Sequence, residues 1–407
     1  MYGLLGHKLG HSLSPQIHRL FGDYVYELFC REKNELDAFF ADEKIAAFNV
    51  TIPYKVEAYN RCDILSKAAK KIGSVNTVVR KADGTLYGDN TDYFGFMKMA
   101  ERYGADFKGK KVLILGSGGA SLTVQCAARD CGAAEIVVVS RTGENNYENV
   151  SLHYDADIIV NTTPVGMFPN NGGRLIELRK FRNVGCVLDL IYNPLKTQLL
   201  LDAQELAVPN GNGLYMLVAQ GLRSAELFLD KKLDEDLIDK AYNEIKKEIG
   251  NIVLIGMPGC GKSTVGRIIA EKISKNFVDT DTEIEKNYNK KIPQIFSENG
   301  EVFFRKTEAE TVEECGKKFG CVIATGGGAV LKKENRAALK QNGTVVYLKR
   351  NPAELSLDGR PLSEGENAVA RLYGERREIY ESMADCTVEV DGNAQITAER
   401  VIECISL

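Results

Sequence analysis

The sequence predicts an α/β chain: an N-terminal α/β domain and a Rossmann-like parallel sheet, followed by a second parallel α/β domain of the P-loop type. Three observations carry this. The apolar run Lys111-Val112-Leu113-Ile114-Leu115 is followed by the glycine-rich turn Gly116-Ser117-Gly118-Gly119-Ala120-Ser121. The run Asn251-Ile252-Val253-Leu254-Ile255 is followed by Gly256-Met257-Pro258-Gly259-Cys260-Gly261-Lys262-Ser263. Further short apolar runs, at 136–139, 157–160 and 186–190, come at βαβ spacing after the first turn. A buried parallel strand feeding a helix through a glycine turn is what such runs usually encode, and two nucleotide-type turns imply two nucleotide domains. Between them, Leu233, Leu237, Ala241, Ile245 and Ile249 recur about every four residues in a Lys- and Glu-rich stretch. That predicts one amphipathic helix over 230–250, with the domain junction at its end.

Composition narrows the function classes. The 407 residues are 44% apolar and 27% charged, ordinary for a globular protein of two or three domains. A net charge of −4 offers no basic excess for nucleic acid or an anionic membrane surface. The 10 cysteines are scattered without a CxxC pair, so neither a zinc site nor a disulfide framework is expected. The N-terminus lacks a secretory pattern, and no apolar run reaches membrane-spanning length. A reduced, cytoplasmic protein is the expectation. His7, His11, His18 and His153 read as packing or surface residues.

The second turn fits GxxxxGK[ST] in full. Its glycines, Gly256, Gly259 and Gly261, let backbone N–H groups wrap phosphates, and the following helix adds a positive N-terminal dipole. Lys262 is the β/γ-phosphate cation, the Ser263 hydroxyl a Mg²⁺ ligand, and Thr264 lies beside it. Asp279 and Asp281 follow Phe277-Val278; on a strand, residues two apart share a face, so both carboxylates are expected to point the same way. Downstream come Gly300-Glu301-Val302-Phe303-Phe304-Arg305, Gly326-Gly327-Gly328, Asp358-Gly359-Arg360-Pro361-Leu362 and Arg376-Arg377-Glu378-Ile379-Tyr380. In this order and spacing the segment from about residue 251 to 407 resembles shikimate kinase. The resemblance implies that Asp281 holds the shikimate hydroxyls and Asp279 stands on the Mg²⁺ side. It implies that Arg305 and Arg376 bind the shikimate carboxylate, that Gly326, Gly327 and Gly328 close over the ring, and that Arg360 reaches the transferring phosphate. Two arginines for a carboxylate and an aspartate for hydroxyls are chemically complementary. The lid segment 355–360 is short and lacks an upstream arginine that many family members place near adenine.

The first turn is less specific alone. At the tip of the following strand, Ser140, Arg141 and Thr142 stand where NAD-binding versions keep an acid. A cation and hydroxyls there suit a 2′-phosphate, so the reading is NADP(H). Before this turn come His11-Ser12-Leu13-Ser14-Pro15, Asn49-Val50-Thr51-Ile52-Pro53-Tyr54-Lys55, Gly73-Ser74-Val75-Asn76-Thr77 and Gly88-Asp89-Asn90-Thr91-Asp92. Singly each passes for turn chemistry. Their succession, with the glycine turn, resembles shikimate dehydrogenase over about residues 1–245. That resemblance implies substrate contacts from Ser12, Ser14, Thr51, Asn76, Tyr192 and Gln220, with Lys55 and Asp92 catalytic. It places the cofactor on Gly116, Gly118, Gly119, Ala120, Ser140, Arg141, Thr142, Asn161 and Thr162, with Gly213 and Met216 in the segment before Gln220. An acidic neighbour favours the ammonium form of Lys55, which suits proton donation to a ketone being reduced. The stretch between Ser14 and Asn49 is shorter than the family usually has, so a trimmed substrate-domain sheet is expected.

Together these readings give a substrate domain over 1–93 and 222–245, an NADP domain over 94–221, and a P-loop kinase domain over 250–407. The expected chemistry is NADPH-dependent reduction of 3-dehydroshikimate to shikimate, then phosphorylation of shikimate with ATP and Mg²⁺. The alternatives are a broader quinate/shikimate dehydrogenase joined to the same kinase, or one half serving as a non-catalytic ligand sensor. Partners are the small-molecule substrates; the sequence sets no oligomeric state. Cys260, inside the phosphate loop, reads as an inert buried thiol.

Overall fold

A computed structural model describes residues 1–10, 12–355 and 368–405. It divides into two compact units. The first comprises Met1–Val165, Arg174–Tyr192 and Asp202–Lys246; the second comprises Gly166–Gly173, Asn193–Leu201 and Lys247–Leu407.

The first unit holds two sheets. One has six strands in the order Tyr26–Cys30, Tyr2–Gly6, Ala47–Val50, Thr77–Arg80, Leu86–Asp89, Ile64–Leu65. Its first three strands are parallel, and Thr77–Arg80 runs antiparallel to both neighbours. The short stretch after Ser14 thus still supplies an edge strand, Tyr26–Cys30, and a helix, Leu36–Ala41. The other sheet has five parallel strands ordered Asn210–Asn212, Cys186–Asp189, Ile158–Asn161, Lys111–Leu115, Glu135–Val139. Strand order reverses around Lys111–Leu115, and the crevice at the carboxyl end of such a switch strand is where α/β sheets bind ligands. The glycine turn begins there.

Helix Leu214–Leu229 packs on helix Thr91–Arg102 and carries Gln220. Gly95 permits the approach: a Cβ there would lie 2.5 Å from the Met216 carbonyl oxygen and 3.0 Å from Gln220 Cβ. Gly221 does the same against Ile17, whose Cγ2 would be 2.8 Å from an added Cβ. The amphipathic helix before the junction spans Asp236–Ile249, shorter at its start than the apolar spacing predicted.

The second unit is built on five parallel strands ordered Asn276–Asp279, Cys321–Ala324, Asn251–Ile255, Gly343–Lys349, Cys386–Glu389. Asn251–Ile255 is buried along its whole length, as the continuous apolar run required. Its one polar member is satisfied: Asn251 Nδ2 donates to the Lys318 carbonyl at 2.6 Å and its Oδ1 accepts from Cys321 N–H at 2.8 Å. Cys386 and Cys404 are paired between the last strand and the last helix, a pairing their spacing did not suggest; the other eight cysteines are free. No helix among the described residues is long and apolar enough to cross a membrane.

Candidate active sites

In the first unit the polar clusters lie at one edge of the six-stranded sheet, at the carboxyl ends of Tyr2–Gly6, Ala47–Val50 and Leu86–Asp89 and the amino end of the antiparallel Thr77–Arg80. Thr51 leaves strand Ala47–Val50 and donates its N–H to the Leu5 carbonyl at 2.9 Å. Ser14 opens helix Ser14–Arg19, with its N–H on Ser12 Oγ at 3.2 Å. Lys55 starts helix Lys55–Arg61, and Asp92 lies in the first turn of Thr91–Arg102, where the helix dipole favours a carboxylate. Lys55 Nζ donates to Asp92 Oδ2 at 2.5 Å, with side chains 30% and 18% exposed. The pair is thus partly screened yet open on one side, as a proton donor to a bound molecule must be. Asn76 is buried and accepts the Thr91 N–H on Oδ1 at 2.7 Å. Gln220 is buried, with Nε2 donating to the Leu217 carbonyl. Tyr192 is half-buried just beyond strand Cys186–Asp189, and burial raises its phenol pKa.

The dinucleotide candidates behave differently from one another. Gly116 has φ +106°, and an added Cβ would lie 2.8 Å from Thr162 Oγ1 and from Thr163 Cγ2. Gly118 caps helix Gly119–Asp130, and a Cβ on Gly118 or Gly119 would meet nothing within 4 Å. This leaves an open, backbone-lined cradle at a helix N-terminus, with Ala120 exposed beside it, which fits a pyrophosphate. Arg141 and Thr142 are exposed and Ser140 half-buried, directly after strand Glu135–Val139. Asn161 and Thr162 are spent internally. Asn161 Nδ2 donates to Asp189 and its Oδ1 accepts from Thr163, while Thr162 Oγ1 donates to the Leu115 carbonyl. The backbone is spent as well: Thr162 N–H donates to the Leu115 carbonyl at 2.9 Å and the Asn161 carbonyl accepts from Leu190 N–H at 3.0 Å, so both residues shape the loop. Gly213 is the N-cap of Leu214–Leu229 and is pressed against the Leu190 carbonyl; Met216 lies in that helix's first turn with its carbonyl against Gly95.

In the second unit one cavity of about 580 Å³ is lined by Gly259, Gly261, Lys262, Ser263, Thr264, Asp279, Asp281, Arg305, Gly326, Gly327, Gly328 and Arg376. Positive φ values at Gly256 (+145°), Gly259 (+82°) and Gly261 (+97°) form the loop, which L-residues with a Cβ rarely adopt. Lys262 is buried, and its Nζ donates to the carbonyls of Gly256 and Met257 at 2.9 Å each. Cys260 is fully buried beneath it. The strand reading of the two aspartates is corrected. Strand Asn276–Asp279 ends at the first, and helix Thr280–Tyr288 begins at once, with Asp281 in its first turn. Asp279 is the N-cap: its Oδ1 accepts from Asp281 N–H at 3.0 Å and Thr282 N–H at 3.2 Å, and a capping carboxylate outcompetes strand continuation. Its other oxygen accepts from Ser263 Oγ at 2.5 Å. Two hard oxygen donors side by side suit Mg²⁺, which completes its shell with water and phosphate oxygens.

Arg305 donates to Glu308 Oε2 at 2.8 Å, and Glu308 is buried. The triple glycine packs against these side chains. A Cβ on Gly326 would lie 2.6 Å from Asp281 Oδ1, and one on Gly328 would collide with the Arg305 guanidinium. Tyr380 donates to the Gly327 carbonyl at 2.6 Å, tying helix Ala368–Met383, which carries Arg376, to the same turn. Arg376 is buried with its Nε lacking a hydrogen-bond partner among the described residues. Arg360 lies outside the described residues.

Comparisons with known proteins give the family. A relative from Clostridium perfringens strain SM101, shikimate dehydrogenase (NADP(+)), is 37% identical over 267 residues, covering 60% of this chain and 98% of the relative. The chain belongs to the shikimate dehydrogenase family. The family model for the shikimate dehydrogenase substrate binding domain matches residues 4–78, and that for shikimate kinase matches residues 258–406. The chain is therefore a two-activity enzyme, a shikimate dehydrogenase continued by a shikimate kinase. Among solved structures it is similar to a chorismate mutase/shikimate 5-dehydrogenase fusion protein from Clostridium acetobutylicum, with TM-score 0.57, 37% identity, and 60% of this chain and 97% of that one covered. It is also similar to shikimate 5-dehydrogenase from Thermus thermophilus in complex with NADP(H) and shikimate, with TM-score 0.55, 29% identity, and 60% and 98% covered.

Beside the predicted residues of this dehydrogenase and kinase stand others the sequence reading passed over. Glu308 follows Arg305 by three residues on one helix, a spacing that signals a side-chain pair. Ser224 follows Gln220 by four on another, and its hydroxyl donates to the Gln220 carbonyl at 2.8 Å. Asn49, Thr77 and Thr91 sit beside predicted residues in sequence, and only their burial marks them out.

Proposed function

We propose that the first unit reduces 3-dehydroshikimate to shikimate with NADPH, and that the second phosphorylates shikimate with ATP. The observation that carries this is the Lys55–Asp92 pair, a cation held at 2.5 Å by a carboxylate and still partly open. NADPH supplies the hydride to the carbonyl carbon. Lys55 gives its proton to the carbonyl oxygen as negative charge develops there, and Asp92 holds the ammonium in place and accepts a hydrogen bond from a ring hydroxyl. Ser12 and Ser14 bind the carboxylate. The open glycine cradle takes the pyrophosphate, and Arg141 with Thr142 takes the 2′-phosphate.

In the second unit Arg305 and Arg376 clamp the carboxylate of shikimate, and Asp281 orients the attacking hydroxyl and takes its proton. ATP with Mg²⁺ supplies the phosphoryl group and offsets its charge. Lys262 leaves its two carbonyl partners for the β- and γ-phosphates, and the bond to ADP breaks as the new P–O bond forms. Arg360 completes the clamp on the transferring group.

The test is product analysis. The purified chain is given 3-dehydroshikimate, NADPH, ATP and Mg²⁺, and the products are identified by mass. Shikimate 3-phosphate, formed only with both nucleotides, is the expected outcome. Shikimate alone would remove the kinase half of the proposal, and no turnover would remove both. Titrating quinate against shikimate, each with NADP⁺ and NAD⁺, separates a broader dehydrogenase from a shikimate-specific one.

A further inference from the structure

Beneath the dehydrogenase substrate residues lies a buried polar network that the catalytic reading does not use. Thr77, Thr91 and Ser224 are at most 1% exposed, and their three hydroxyl oxygens lie 3.1 Å from one another. They come from a strand and two helices, up to 147 residues apart in sequence. Each hydroxyl has one proton to give and lone pairs to accept. Two backbone groups, which cannot turn over, decide how those protons run.

At one end, Asn49 Nδ2 lies 3.3 Å from the Asn76 carbonyl oxygen. Only a donor fits there, so the Asn49 amide has a single orientation, and its Oδ1 accepts from the Tyr26 hydroxyl at 2.8 Å. The same Nδ2 lies 3.0 Å from Thr77 Oγ1 and 2.8 Å from Ser224 Oγ; it has two protons for three oxygens, and the two nearer hydroxyls take them, while a nitrogen without an acceptor lone pair can take no proton back. Their protons must therefore go onward. At the other end, the Thr91 N–H at 2.7 Å requires an oxygen on Asn76, so Oδ1 faces inward. Onto that oxygen Thr77 Oγ1 donates at 3.2 Å and Thr91 Oγ1 approaches to 3.1 Å. The remaining acceptors are Gln220 Oε1, 3.3 Å from Thr91 Oγ1, and the Gln220 carbonyl, 2.8 Å from Ser224 Oγ. The network thus runs one way, from Asn49 through the hydroxyls to the oxygens of Asn76 and Gln220. Asn76 Nδ2 is left without a hydrogen-bond partner among the described residues.

We propose that Thr77 and Ser224 are positioning residues: Thr77 and Thr91 donate onto the Asn76 oxygen, while Asn49 and Ser224 fix the direction of the Thr77 hydroxyl, so that Asn76 meets the substrate as a hydrogen-bond donor only. A ring oxygen bound there accepts from Asn76 and gives its own proton to the Asp92 carboxylate, which follows Thr91 in the chain. The site then demands a hydroxyl at that position, because an analogue without one leaves a donor and an acceptor unpaired together, and such sites reject the deficient ligand strongly. This rests on the reading of the site as one for shikimate.

The experiment uses the full chain with Thr77→Val, Thr77→Ser and Ser224→Ala. It follows NADP⁺-dependent oxidation of shikimate and of the two analogues lacking one non-reacting ring hydroxyl. In Thr77→Val and in Ser224→Ala the KM for shikimate is expected to rise by about tenfold, with kcat and the KM for NADP⁺ held within about twofold. The penalty for one deoxy analogue shrinks by a similar factor while the other is unmoved, and Thr77→Ser behaves as the wild type. An unchanged KM for shikimate in both Thr77→Val and Ser224→Ala would overturn the proposal. So would equal losses on shikimate and both analogues, which is the pattern of a merely structural role. A wild-type chain that does not oxidise shikimate removes the reading of the site, and this inference with it; turnover by the wild type separates the two failures.

Discussion

The two glycine turns share a grammar and differ in how they are built. After Lys111–Leu115 the turn is open: Cβ positions at Gly118 and Gly119 meet nothing, and the nearest predicted cation, Arg141, stands at the end of another strand. After Asn251–Ile255 the turn closes on itself, with three glycines at positive φ and a buried lysine bonded to two of the loop's own carbonyls. The difference fits the ligands proposed for the two turns. A dinucleotide's pyrophosphate is only held, so a helix N-terminus and close backbone approach suffice. A triphosphate must also be cleaved, and the charge that shifts during transfer needs a cation placed beforehand.

The largest expected effects come from the two lysines, and each stays in its own unit. Lys262→Met is expected to lower phosphorylation of shikimate by about 10³-fold or more while leaving hydride transfer intact. Lys55→Ala lowers dehydrogenase turnover by about 10²–10⁴-fold with the kinase unaffected, the usual worth of a general acid. Paired assays of one preparation check both, and near-normal turnover in either variant would take that lysine out of its mechanism.

The peripheral cation comes next. Arg141→Ala is expected to raise the KM for NADP⁺ by about 10–100-fold and leave that for NAD⁺ unchanged, as loss of a charge-assisted phosphate contact would. Equal changes for both cofactors would instead make Arg141 a structural residue.

Two glycines of the first turn sharpen the contrast further. Gly118→Ala puts a methyl into the open cradle at an ordinary φ of −77°, so cofactor KM rises by about tenfold with no change in Tm. Gly116→Ala forces a Cβ onto Thr162 and Thr163 at φ +106°, and costs about 1–3 kcal/mol of stability by thermal or denaturant melting. Reversal of the two results would mean that the cradle is not where phosphate sits.

The smallest effect is a pH dependence confined to the first unit. Burial lowers the pKa of His18 to about 3, and the ring is stacked on Tyr26 at 4.0 Å. A depressed folded-state value keeps the neutral ring in the folded protein. Its stabilising share is complete above the unfolded value of 6.5 and is lost progressively as pH falls toward 3. Between pH 6.5 and pH 5, above the range where most carboxylates titrate, the first unit should lose about 2 kcal/mol of stability. Urea unfolding of the wild type and of His18→Gln at these two pH values checks it; the same slope in both would assign the dependence elsewhere.

Much of this was legible in the chain itself. The runs at 111–115 and 251–255 became strands with those same bounds, because a continuous apolar β-branched segment next to a glycine turn has few other ways to bury itself. The polar clusters fall where strands end or begin and helices start, with Ser14, Lys55 and Asp92 each in the first turn of a helix. The error at Asp279 and Asp281 is instructive. Spacing by two was read as strand geometry, but a carboxylate that can cap a helix ends the strand where it stands. Asn161 reads as a ligand contact and is buried in loop architecture, because a sequence does not say which side of a turn an amide faces.

By itself, then, the sequence determined the fold class, the two glycine turns and the residue types available to each site, since these depend on local pattern and short spacing. The tertiary structure alone decided the strand orders and the meeting of Asp281, Arg305, Gly326 and Arg376 around one cavity. It also decided the one-way run of protons from Asn49 to Asn76. Those features join residues far apart in the chain, and a hydroxyl or an amide acquires a direction only when packing brings a partner that cannot turn.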